Sequence, residues 1–197
     1  MAQANISLQR HETLRSGLLR VVDILINSIV DSLADLSPND EEDIHRIRTS
    51  IKRLRALLRL VRPAVDPTFF DRENGRLRTA ARLLSFARDA EVAQETLKTL
   101  PVSEKTDRDA VGLAASGFER QVGPPKDLDR TLAEVRKRVE QTRRNFHRLE
   151  LRGTGREIVE SGVRKVYRQG RSRMKVAIAQ GQDSAFHSWR IRAKNLY

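Results

Sequence analysis

Apolar residues recur every three or four positions along most of the chain, and no stretch alternates long enough to read as a strand. Ile6, Leu14, Leu18, Val22, Ile26, Ile29 and Leu33 predict a helix over residues 5–35. In "LSPNDEED" a helix restarts. Ser37 is placed to cap it and Pro38 to open it, and Asp40, Glu41 and Glu42 fall at the positive end of its dipole. That helix is expected to reach Arg62 and stop at Pro63. A third is expected from Pro67 through "ENGRLRTAARLLSFARDAEVAQETL". Residues 101–125 are the most broken part, and "GPPKD" reads as the main linker. Further helices are expected over 127–150, over 155–179 and from Ser184 onward. The fold class is all-α, one or more helical bundles, divided at the linker into residues 1–122 and 126–197.

The second of these helices carries two stripes. At about 100° per residue, Ile44, Ile47, Ile51, Leu54, Leu58 and Val61 share one face. His45, Arg48, Lys52, Arg55, Arg59 and Arg62 share another, about a quarter turn away. The apolar stripe must meet a core, so the basic one flanks the packed face, where it can line a groove. Within the helix, no acid stands four residues on from any of these cations to relieve their mutual repulsion. A solvated charged face is the plain alternative for one such helix.

A second copy shifts that balance. "HRIRTSIK" places a His, an Arg and a Lys at offsets 0, 3 and 7, and His187, Arg190 and Lys194 in "FHSWRIRAK" repeat those offsets. Just upstream, Arg164, Arg168, Arg171 and Lys175 form one stripe on the 155–179 helix, opposite Val163, Val166, Gly170, Met174 and Ala177. Repeated basic-beside-apolar helices on both sides of a linker suggest duplicated halves related by a pseudo-two-fold.

Composition narrows the partner. There are 38 Lys and Arg against 26 Asp and Glu, a net charge of +12. Self-repulsion of that size gives a solitary globule nothing, so a polyanionic partner is expected. The chain has no cysteine, which removes disulfides, thiolate nucleophiles and cysteine-held zinc. No apolar run nears the length of a membrane span, and "MAQANISLQRHE" lacks the apolar core of a signal peptide, so a cytoplasmic protein is expected.

Catalysis and cofactors are not expected. The acids ahead of His45 are accounted for as helix-start residues rather than as a metal site, and no helix shows His-Glu-x-x-His spacing. His11 and His147 read as surface or packing residues. His45 and His187 each open a cationic frame near a helix start and read as hydrogen-bond donors, because no nucleophile or metal partner stands ready for a general base.

With these residues in view, the chain resembles the CHAD family, the conserved histidine alpha-helical domain, from about residue 5 to 197. "IHRIRTSIKRLRALLRL" and "LRTAARLLSFARDAEV" are similar to the family's first-half helices, and "YRQGRSRM" and "FHSWRIRAKNLY" to its second-half segments. The resemblance implies two facing helical bundles with a basic groove between them, and binding of inorganic polyphosphate without catalysis. Polyphosphate granules are a setting that such a ligand would give it. Carried over by position, the implied ligands are His45, Arg48, Lys52, Arg53, Arg55, Arg59 and Arg78 from the first half, and Arg168, Arg171, His187, Arg190 and Lys194 from the second. Arg88 and Asp89 are implied to form a structural ion pair.

The sequence also departs from the family pattern. Ser85 stands where a Gly is usual, Glu91 where an Asp is usual, and Ile191 where a cation is common. Tyr197 falls partway through the helix of the second frame, so one groove wall is expected to be incomplete, with Trp189 and Leu196 left uncovered. A truncated chain, or one completing its core as a homodimer, is the expectation. Nucleic acid is the alternative ligand, although the 5% aromatic content gives little for bases to stack on. A phosphatase would need a metal cluster or nucleophile supplied from elsewhere. A purely structural basic bundle would leave the repeated frame without a reason.

Overall fold

A computed structural model describes residues 5–34, 36, 40–85 and 127–194. Among them are six α-helices: α1 (Leu14–Ala34), α2 (Glu41–Val61), α3 (Pro67–Leu83), α4 (Leu128–His147), α5 (Gly155–Gln180) and α6 (Asp183–Ala193). A short 3-10 turn, Arg62–Ala64, follows α2. No strand occurs among the described residues. The expected Arg88–Asp89 pair, residues 123–126 of the "GPPKD" linker and Leu196 lie outside them.

The caps show why the helices start where they do. Asp40, not Ser37, caps α2: its carboxylate accepts from the Asp43 N–H at 3.0 Å, at the third helical position. Asp66 accepts from the N–H groups of Thr68 and Phe69 ahead of α3, with Pro67 as first residue. Thr154 and Glu157 form a reciprocal capping box on α5. Gly181 ends α5 at φ +63°, a left-handed residue that favours glycine, and its N–H bonds the Ala177 carbonyl at 2.9 Å.

The expected first helix is shorter than its pattern. Residues 5–13 are not helical, because their polar groups find other partners. The Glu12 carboxylate accepts from the Gln9 N–H and from Arg20, and Arg20 also donates to the carbonyls of Asn5 and Ser7. Ile6 is accordingly exposed and outside the core.

α1 to α4 share one core. The α2 stripe Ile44, Ile47, Ile51, Leu54, Leu58 and Val61 is buried along its whole length against α1 residues such as Val22, Ile26 and Ile29. α4 follows the linker in sequence, yet its Leu132, Val135, Val139 and Phe146 belong to this same core. A polar tie joins α3 to α4. The fully buried Glu73 carboxylate accepts from Arg72, Arg76, Thr142 Oγ1 (3.1 Å) and Asn145 Nδ2 (2.7 Å). His147, at the C-terminal end of α4, sits with Nε2 at 3.0 Å from Asp23 of α1.

α5 and α6 form a hairpin on the side of this bundle, with α2 and the 3-10 turn as principal neighbours. The apolar face expected on α5 holds at Gly170 and Ala177 and fails at Val163. Val163 is 50% exposed, and the buried positions are Ile158, Gly162, Gly170 and Ala177. Gly162 sets this contact: a Cβ there would overlap the carbonyl oxygen of Leu60 on α2. On α6, Phe186 is exposed and Trp189 half-buried, with ring centroids 6.3 Å apart.

Candidate functional site

An open cleft of ≈ 890 Å³ lies between α2, α3 and the hairpin. α2 contributes Lys52, Arg53, Arg55 and Arg59, and Arg62 of the 3-10 turn continues that wall. α3 adds Phe70 and Asn74. The hairpin faces them with Lys165, Gln169 and Arg173 of α5, and with Ser188, Ile191, Arg192 and Lys194 at α6. Among the described residues, nine of the lining side chains are Lys or Arg, and none is Asp, Glu or His.

The wall exists because α2 is amphipathic on two adjacent faces. Burial of Ile51, Leu54 and Leu58 fixes the rotation of the helix, and Lys52, Arg55 and Arg59 then fall beside the core rather than opposite it. All three side chains line the cleft. On the other wall, the Gly162 contact fixes the rotation of α5. Lys165, Gln169 and Arg173 share the Gly162 face at helical spacing, so they turn toward α2.

The charges in this cleft are stressed. Burial, and then the neighbouring Arg78, push the Arg55 guanidinium below the ordinary arginine range. Burial does the same to Arg59, with Arg55 and then Arg192, from the opposite wall, adding like-charge repulsion. Arg59 Nε is buried without a hydrogen-bond partner. Arg55 Nε donates to Asn74 Oδ1 at 3.0 Å, which orients the group without neutralising it. The Arg62 guanidinium lies 4.3 Å over the Phe70 ring.

Ion pairs occur elsewhere in the fold. Arg20 pairs with Glu12, Arg46 with Glu42 and Asp43, Arg138 with Glu134 and Arg156 with Glu160. Arg53, Arg55, Arg59, Arg62, Lys165, Arg173, Arg192 and Lys194 join no ion pair among the described residues.

The structure gathers only part of the sequence-derived ligand set. Lys52, Arg53, Arg55, Arg59 and Lys194 line the cleft. Arg78, one helical turn beyond Asn74, stands at its margin near Arg55. Arg48 is half-buried, and its Nη1 donates to the Leu84 carbonyl at 2.8 Å beyond the C-terminal end of α3. His45, His187 and Arg190 are exposed and outside the lining. Arg168 and Arg171, with Arg164 and Lys175, occupy the exposed face of α5 roughly opposite Gly162. Lys165, Arg173 and Arg192 were not in that set. The signal for the first two is the glycine spacing, Gly162 and Gly170, which marks the side of α5 that approaches another helix.

A second, smaller hollow holds Arg72, Arg76, Arg148 and Arg152, but there Asp66, Glu150 and the buried Glu73 answer the cations. Among the described residues no group of His, Cys, Asp and Glu side chains could hold a metal ion. No helix among them is long and apolar enough to cross a membrane.

Among the described residues, an all-helical fold with a cationic cleft lined by no acid is the class that the fold and site define. The chain belongs to the CHAD domain family, whose sequence pattern matches residues 25–197. No curated protein and no solved structure matches the chain at a significant level.

Proposed function

We propose that the cleft binds inorganic polyphosphate and performs no chemistry on it. The observation that carries this reading is the segregation of charge: among the described residues, nine Lys and Arg line one cleft and no carboxylate does. Arg55 and Arg59 are held there, half-buried, against other cations. Such a site is at its least stable empty. A chain of phosphates relieves the repulsion and supplies acceptors for several guanidinium donors at once. Counterion release from the polyanion adds a driving force that weakens steeply with salt.

Membership of the CHAD family supports the same ligand. A described lining of Lys, Arg and neutral side chains supports binding over catalysis, because a hydrolytic site needs a base or a metal ligand. Single-stranded nucleic acid would satisfy the same charge. It gains much of its sequence-tolerant affinity from aromatic platforms, however, and Phe70 is the one aromatic in the lining among the described residues. Phe70 is only 6% exposed and is covered by Arg62.

The test is a titration with long-chain polyphosphate at several salt concentrations, with single-stranded DNA of matched charge as competitor. Tight, salt-sensitive binding that DNA does not reverse is expected. Equal displacement by DNA would replace this reading with a general polyanion site, and absence of binding would remove it.

A further inference from the structure

Among the described residues, the α5–α6 hairpin is weakly fastened beyond its first turns. Ile158 is the only residue of α5 and α6 in the main apolar core. Past it, the buried positions of the hairpin are Gly162, Gly170, Ala177 and Ala185, which bring little apolar area. The backbone of α5 touches that of α2 at Gly162 and Leu60. Beyond that point the two walls face each other across the cleft, and Arg59 of one wall feels the charge of Arg192 on the other. Lys165, Arg173, Arg192 and Lys194 meet no carboxylate among the described residues. Closing the hairpin therefore brings cations together for a small apolar return.

We infer that the hairpin is an anion-operated clamp: it pivots about the Gly162–Leu60 contact, and the phosphate chain lying between the walls holds it shut against α2. This rests on the polyphosphate reading above. The linkage is reciprocal. Whatever factor the ligand adds to the closed population, closure adds to the affinity. A short anion that reaches one wall leaves the hairpin as it was, and a chain that spans both closes it.

Hydrogen exchange on the full chain tests the clamp, with polyphosphate binding measured in the same buffer. Amides from 163 to 193 are expected to exchange at least about tenfold more slowly once long-chain polyphosphate is bound, while those of α2 from 44 to 61 change little. Binding without that slowing overturns the clamp and leaves the function standing, and so does an equal slowing of every helix. Two variants test it without ligand. Arg59→Gln and Arg192→Gln each remove the Arg59–Arg192 repulsion across the cleft, so each is expected to slow exchange over 163–193 by itself. Unchanged or faster exchange in both variants overturns the clamp, whether or not polyphosphate binds.

Discussion

Replacing Asn74 by Asp separates the electrostatic account from any general loss of fold. Asn74 Oδ1 accepts from Arg55 Nε at 3.0 Å, and Arg55 is held there by burial and beside Arg78. The substitution keeps the shape and the acceptor, and adds one negative charge. At about 4 Å and an effective dielectric of about 20, the new pair is worth about 4 kcal/mol before screening. Arg55 is only half-buried, so a net stabilisation of about 1 kcal/mol is expected. Binding moves the other way. Losing one phosphate contact removes about 0.7–0.9 from the slope of log affinity against log salt, which is about five- to eightfold in affinity at about 0.1 M salt. Repulsion between the new carboxylate and the phosphates adds to that loss. The assay is a pair of curves for each protein, chemical denaturation and a salt series of polyphosphate titrations. Asn74→Ala is the control, since it frees Arg55 without discharging it and leaves the slope intact. The reasoning is refuted if Asn74→Asp lowers stability, or if it leaves both affinity and slope unchanged.

Other outcomes follow from the same geometry. Glu73→Ala strands Arg76, Thr142 and Asn145 in a buried site, and a loss of about 3–5 kcal/mol in denaturation is expected. Lys165→Ala with Arg173→Ala should reduce the polyphosphate salt slope by about 1–2 units, and Arg168→Ala with Arg171→Ala by clearly less, measured by the same titrations. The Glu12 carboxyl is lowered from 4.5 to about 2 by its hydrogen bond from Arg20 and then by the Gln9 N–H. A depressed folded value means that its contribution is full above the unfolded value of 4.5 and disappears as pH falls toward 2. Acid titration followed by NMR should show residues 5–13 loosening within that window, and Glu12→Gln should abolish the pH dependence there.

Much of the architecture was legible in the sequence, for physical reasons that differ by element. The α2 stripe could be read because all six of its apolar positions are buried, and a helix packed on one face states its rotation in its own periodicity. The start of α2 was misplaced by three residues because Ser37 and Asp40 both offer cap chemistry, and only the geometry shows that Asp40 reaches the third helical N–H. Residues 5–13 carry a helical pattern that the Glu12–Arg20 network overrides.

The cleft was half legible. Its α2 wall follows from one helix alone, whereas the hairpin wall depends on which side of α5 meets α2. Counting apolar residues selected Val163, Val166, Gly170, Met174 and Ala177; Gly170 and Ala177 are buried, but Val163 is exposed, and close approach at Gly162 decides the rotation. The cations on the exposed side, Arg164, Arg168, Arg171 and Lys175, form the more regular stripe and so drew attention away from Lys165 and Arg173.

Lysine reactivity mapping tests the central claim most directly. Lysines are acetylated under limiting reagent with and without long-chain polyphosphate, and each site is quantified by mass spectrometry. The account predicts that Lys52, Lys165 and Lys194 of the cleft are protected together, while Lys137 of α4 and Lys175 on the exposed face of α5 keep their reactivity. Protection of Lys175 with Lys52 and Lys165 left reactive would contradict it and move the polyphosphate site to the outer surface of the hairpin.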